Sequence, residues 1–162
     1  MDEAHALVDA RQFREVCGQY ATGVAVITVC GAGGQLAGVT VNSFSSVSLE
    51  PPLVQFSLDR KASVFPVFKD CRHFAVNVLS RPQQPLSNMF AVRSDAFEEV
   101  TYASGRAGSP VIEGCVANLE CEKFAVYDGG DHVIILGRVM QLQCAPTQEP
   151  LLFFRGTYGT FS

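Results

Sequence analysis

The chain has 162 residues, 48% hydrophobic and 17% charged, with a formal net charge of -4. That length and apolar content suit one domain over residues 1–162, with its core in about 10–162, and exclude a disordered chain. The acidic balance argues against a nucleic-acid surface, so any anionic ligand must be held by local groups.

The N-terminal stretch MDEAHALVDARQF carries acids where a secretory leader carries bases, and no segment approaches the roughly 20 apolar residues that a membrane span needs. Asp9 is placed to cap a helix over Ala10 to Ala21, in which Phe13, Val16, Cys17 and Tyr20 share one side and predict an element that plugs or covers the core. From Gly23, GVAVITVC is rich in β-branched residues, Gly31 to Gly34 supply turn positions, and QLAGVTVNSF resumes extended chain, which predicts a hairpin. After Pro51 and Pro52, LVQFSLD and HFAVNVL read as further strands, and RKASVFPVFKD between them as a short helix limited by Pro66.

Gln83 to Val92 reads as helix with Leu86, Met89 and Phe90 on its apolar face, and RSDAF to GRAGSP as loop. GCVANLECEKFAVYD and DHVIILGRVMQLQC, separated by Gly129 and Gly130, predict a second and unusually long hairpin, and LLFFRGTYGTF closes the chain as a strand or a pair of short strands. Hairpin-linked strands with few short helices predict a mainly β fold, an antiparallel barrel, because a parallel sheet needs helical crossovers throughout.

The six cysteines, Cys17, Cys30, Cys71, Cys115, Cys121 and Cys144, stand singly among apolar residues and read as reduced, mostly buried thiols of a cytoplasmic protein. His5, His73 and His132 are far apart, so no metal site is expected. No GxSxG, HExxH, GxGxxG or Walker-type motif occurs, and the Gly31 to Gly34 run is a hairpin turn before it is a phosphate loop. The chemistry is then expected to be that of a bound cofactor, for which the protein supplies binding, orientation and electrostatics. One stretch stands out: VTVNSFSSVSLEPP, Val39 to Pro52, places Thr40, Asn42 and four serines on extended chain. It is either a solvated edge or a flat polar wall against which a planar heteroaromatic ligand can lie.

The runs YATGVAVITV, GVTVNSFSSVSLEPPLVQFSLD, FAVNVLS, GGDHVIILGRV and LLFFRGTY occur in this order. In them the chain resembles, over about residues 10 to 162, the flavin reductase family whose members adopt an FMN-binding split barrel and include the reductase components of two-component flavin monooxygenases. The resemblance implies an NAD(P)H-dependent reductase that passes hydride from NADH or NADPH to FMN or FAD. It also implies a homodimer and a separate oxygenase that receives the reduced flavin. It places Thr40, Val41, Asn42 and Ser43 at the isoalloxazine and ribityl chain, and Ser57, Asp59, Arg60, Lys61 and Ser63 at the flavin phosphate. His132, in the G-D-H pattern, it places near the flavin and nicotinamide rings as the catalytic residue, and Arg155 and Tyr158 near the cofactor or the dimer interface. Asn77, an amide in an apolar strand, either bonds backbone or meets the cofactor, and Phe90 suits either the core or a flavin contact. Two rivals share the barrel: a non-catalytic protein holding flavin or haem, and a flavin-retaining oxidase of the pyridoxamine-phosphate type.

Overall fold

A computed structural model describes residues 8–161, so His5 lies outside the described residues. The class is mainly β, with antiparallel pairing throughout. Helix α1 (Ala10–Cys17) is followed by β1 (Thr22–Gly23), β2 (Ala25–Cys30), β3 (Leu36–Val41), β4 (Ser45–Leu49) and β5 (Pro52–Asp59). Then come α2 (Phe65–Asp70), β6 (His73–Val78), α3 (Gln84–Val92), β7 (Tyr102–Ser104), β8 (Pro110–Ile112), β9 (Ala117–Gly129), β10 (His132–Cys144), β11 (Leu152–Phe154) and β12 (Thr157–Gly159). One seven-stranded sheet runs in the order β3-β2-β6-β9-β10-β5-β4, flanked by a three-stranded sheet β1-β11-β12 and the pair β7-β8. Among the described residues no helix is long and apolar enough to cross a membrane.

The continuous apolar run of β2 is explained by two cores. Side chains alternate across a strand, and here both faces are covered. Ala25, Ile27 and Val29 enter one core with Val76, Phe56, Phe68 and Phe74, whose rings meet edge to face at 5.9 Å (Phe56 to Phe68) and 5.3 Å (Phe56 to Phe74). Val24 and Val26 enter the other with Leu79, Phe90, Phe97, Ile112 and Leu151. On that second face β2 and β6 also place Thr28 and Asn77, which open a buried polar network between the sheet and β8.

Three expectations need correction. Helix α1 ends at Cys17 with Gly18 as its cap, and none of its residues is buried: Phe13 and Val16 are 59% and 65% exposed, and Tyr20, beyond the helix, is 80% exposed. The chain turns at Gly18, so the amphipathic side faces a groove beside β11 and β12 and does not plug the core. The segment read as loop contains β7 and the start of its partner β8, three-residue strands too short to show alternation. Of the cysteines only Cys71, Cys115 and Cys121 are buried, and Cys17 and Cys144 are exposed.

Candidate functional site

The polar stretch from Val39 splits at Asn42. Thr40 and Val41 end β3, Asn42 to Phe44 leave the ladder, and Ser45 to Leu49 pair with β5. At the end of β3, the Thr40 hydroxyl donates to the Ser87 carbonyl of α3 at 2.7 Å. The Ser87 hydroxyl lies 2.8 Å from the Tyr158 hydroxyl, which in turn donates to Asn88 Oδ1 at 3.0 Å. With its one proton directed to Asn88, Tyr158 accepts from Ser87. This chain fixes α3 and β12 around a pocket of about 210 Å³ lined by Val24, Thr40, Val41, Asn42, Ser87, Ala91, Phe153 and Tyr158. Asn42 and Phe153 also line an adjoining groove, of about 450 Å³, that opens toward α1 and Arg155.

Beyond Asn42 the next residue ties this pocket to the end of β5. Ser43 Oγ accepts the Ser57 N–H at 2.9 Å, extending the β4–β5 ladder by one side-chain rung. Ser57 leads to Asp59, which faces His132 across the β5–β10 register. The turn that follows carries the basic pair. Arg60 donates through Nε to the Gly130 carbonyl at 3.0 Å and through its guanidinium to Asp128 at 2.5 Å, so its charge is already matched across the hairpin tip. Lys61 donates its backbone N–H to Asp59 Oδ1 at 2.8 Å, and its side chain has no ion pair among the described residues. Ser63 is exposed two residues on. His132 Nδ1 lies 2.7 Å from Asp131 Oδ1. The hydrogen bond to His132, and then its charge, hold the Asp131 carboxyl below its ordinary value.

The expected residues therefore fall into one connected set and three outliers. Thr40, Val41, Asn42 and Tyr158 share the pocket, and Ser43, Ser57, Asp59, Arg60, Lys61, Ser63 and His132 continue from it along β5 and its turn. Arg155 stands in the adjoining groove. Asn77 does not join the site: it is fully buried, its amide donates to the Val26 carbonyl and the Thr28 hydroxyl, and its Oδ1 accepts from Ile112 N–H and Asn118. Of its two earlier readings, partnering within the protein holds. Phe90 is a core residue, buried against Phe97 with ring centroids 5.1 Å apart. Ser87 and Thr22 were not singled out. Ser87 had a signal, a small polar residue within the apolar stripe Leu86, Ser87, Phe90 of a helix, where a hydroxyl needs a partner. Thr22, whose buried hydroxyl has no partner, gave none.

These residues fit a flavin nucleotide. The pocket sets the Thr40, Ser87 and Tyr158 hydroxyls and the Asn42 amide among Val24, Val41, Ala91 and Phe153, a mixed lining that suits a flat ring system, and Lys61, with no ion pair among the described residues, has a charge open to a phosphate. Among the described residues no three His, Cys, Asp or Glu side chains converge as a metal site would require.

Comparison with known proteins agrees. The family model described as "Flavin reductase like domain" matches residues 17–162. The FMN reductase (NADH) of Agrobacterium fabrum is 42% identical over 95% of this chain and 87% of its own. A flavin-dependent monooxygenase reductase subunit of Rhodococcus jostii is 38% identical over 93% of this chain and 77% of its own. The NADH:FAD oxidoreductase of Streptomyces globisporus C-1027, solved in complex with NAD and FAD fragments, superposes with a TM-score of 0.90 at 40% identity, covering 96% of each chain.

Proposed function

The chain belongs to the flavin reductase like domain family, and from that premise we propose that it is an NADH-dependent reductase of FMN or FAD that supplies reduced flavin to a separate monooxygenase. The observation that carries this reading is the Ser43 to Ser57 hydrogen bond, which ties the polar segment that follows Thr40 to the strand leading to Lys61. Relatives with the same domain bear the names of an FMN reductase (NADH) and a monooxygenase reductase subunit.

Bound flavin supplies the ring system that accepts hydride from the nicotinamide; everything else is positioning by this chain. Thr40 and Asn42 present hydroxyl and amide groups to the ring edge, and Thr40 is held by Ser87 so that it adds no reorganisation cost. Lys61 and Ser63 hold the phosphate, while Arg60, already matched by Asp128, keeps the turn in shape. His132, oriented by Asp131, positions the nicotinamide. No protein nucleophile is needed for this transfer.

We read the seven-stranded sheet as the split barrel of this family, and the chain as a single domain that works as a homodimer in the cytoplasm. Exposed apolar side chains on the outer β9–β10 hairpin, Phe124, Val126, Tyr127, Met140 and Leu142, support the dimer. Steady-state loss of NADH absorbance with a large excess of free flavin tests the reading. Turnover of many flavin equivalents per protein is expected; a protein that copurifies with flavin and oxidises NADH only stoichiometrically would contradict it.

A further inference from the structure

We propose that Arg60 is a positioning residue for the nicotinamide: it clasps the tip of the β9–β10 hairpin to the turn after β5, so that His132 is set by the same turn that receives the flavin phosphate. The proposal rests on the flavin-reductase reading, which gives Arg60 no task beyond the shape of its own turn. The resemblance groups Arg60 with the phosphate ligands. Its contacts assign it a different role.

The hairpin tip has little of its own to hold it. Gly129 and Gly130 carry no side chain to pack, and the Asp128 and Asp131 side chains are 81% and 86% exposed. Gly130 takes a φ of +81°, which the first position of a two-residue hairpin turn accommodates best without a Cβ. Ordering such a tip is costly in entropy, because glycine loses more freedom than any other residue. His132 follows directly, so whatever places the tip places the imidazole.

Arg60 bonds to three of the four residues 128–131. Its Nε donates to the Gly130 carbonyl at 3.0 Å, its guanidinium to Asp128 Oδ1 at 2.5 Å, and its backbone N–H to the Asp131 carbonyl at 3.0 Å. Among the described residues no other side chain from outside the hairpin bonds to this tip. The planar fork explains why arginine is used: one guanidinium meets a carbonyl and a carboxylate together, whereas an ammonium offers a single nitrogen.

The other end of the clasp is firm. Asp59 Oδ1 accepts the Lys61 N–H at 2.8 Å and the Asp59 carbonyl accepts the Ala62 N–H at 3.1 Å, which closes the turn, and Val64, 3% exposed, roots it in the first core. Arg60 thus passes the placement of a core-anchored turn to a glycine-rich tip. Charge separates it from its neighbour Lys61. The Arg60 guanidinium is matched by Asp128, so a phosphate drawn to it would have to displace a carboxylate, whereas Lys61 has no such partner among the described residues. The phosphate turn and the nicotinamide histidine then share one support, and Arg60 serves the histidine.

The test compares wild type with Arg60→Met, Arg60→Lys and Asp128→Ala, and His132→Ala with the double variant Arg60→Met, His132→Ala. Calorimetry reads affinity for FMN and riboflavin, and affinity of the FMN-loaded protein for NAD+; steady-state kinetics read KM for NADH. The Arg60 and Asp128 side chains are 43% and 81% exposed, so these changes leave the fold standing. Each of the first three variants is expected to weaken NAD+ and raise KM for NADH by about threefold to tenfold, the scale of a charged hydrogen bond at a partly exposed site, with FMN affinity held within about twofold. Lysine is expected to do no better than methionine, because it cannot form the fork. In the His132→Ala protein, Arg60→Met is expected to change neither NAD+ affinity nor KM further, since it acts through the imidazole. Arg60→Met that weakens FMN but not riboflavin would make Arg60 a phosphate ligand and overturn the proposal. So would an NADH effect that adds in full to that of His132→Ala, or unchanged NAD+ affinity in all three variants. Because NAD+ affinity is read without turnover, a protein that loses it through Arg60 and reduces no flavin would keep the clasp and refute the reductase.

Discussion

Two asparagines show how position decides what a side chain does. Asn77 is enclosed, with both amide hydrogens and its oxygen bonded to Val26, Thr28, Ile112 and Asn118. Asn77→Ala leaves those buried partners unsatisfied and is expected to cost about 2–5 kcal/mol in denaturant unfolding, with flavin affinity of the folded fraction retained. Asn42 is exposed on the wall of the pocket, so Asn42→Ala is expected to weaken flavin binding by about tenfold in equilibrium titration while stability changes by less than about 0.5 kcal/mol. A stable Asn77→Ala protein with weakened flavin would exchange these roles. His132→Ala, at the mouth of the hairpin, is expected to slow flavin reduction at saturating NADH more than it weakens flavin binding; unchanged single-turnover reduction would remove it from the reaction. An amide in the run FAVNVL can be read as needing partners. Their identity cannot, because Ile112 and Asn118 come from strands 35 and 41 residues away.

At the scale of elements, the pocket depends on how closely α3 lies on β3. A Cβ added at Gly38 would meet Phe90 at 2.8 Å (Cε1) and 2.9 Å (Cδ1), and that ring is fixed in the second core against Phe97. Gly38→Ala therefore pushes α3 off the strand, at a cost of about 1–3 kcal/mol. Because Ser87 on the same helix holds Thr40, flavin affinity is expected to fall along with the thermal midpoint. Normal flavin affinity in a destabilised Gly38→Ala protein would show that α3 does not position the pocket. Most of these elements were legible: both hairpins, the helix over Gln83 to Val92 and the closing strand pair follow from alternation and turn residues. Helix α1 was legible as amphipathic, but periodicity states only that one side is apolar, not what it faces. Its role turned on Gly18 and on a turn more than a hundred residues away in sequence, at Arg155.

For the whole molecule, burial of thiols sets a basic limit on stability. Burial pushes Cys115 up to about 11, against hydrogen bonds from Gln83 and Asn118, and Cys121 up to about 12, with the Glu120 charge adding to burial. In the unfolded chain both ionise near 9.0. Their contribution is therefore fully present below that pH and is lost as pH rises through the folded values, since the unfolded state then holds fewer protons. Unfolding free energy is expected to fall between about pH 9 and 12. Replacing both residues by alanine or serine should flatten that slope even if overall stability drops. The exposed apolar residues of the β9–β10 hairpin lead to a further expectation: the protein elutes as a dimer, and Tyr127→Lys with Leu142→Lys shifts it toward monomer in light scattering. The resemblance and the turn chemistry together made the class legible. The pairing of Arg60 with Asp128 and the enclosure of Asn77 were not, because each is settled by contacts across the sheet.

The most direct test of the central claim is anaerobic stopped-flow mixing of the purified protein and added FMN or FAD with NADH, following nicotinamide loss and flavin bleaching together. The polar segment and the family membership predict that both signals fall in step, one NADH per flavin, through many equivalents of flavin per protein. Oxidation of NADH without matching loss of free flavin colour, or reduction that stops at one equivalent per protein, would contradict a reductase that releases its product.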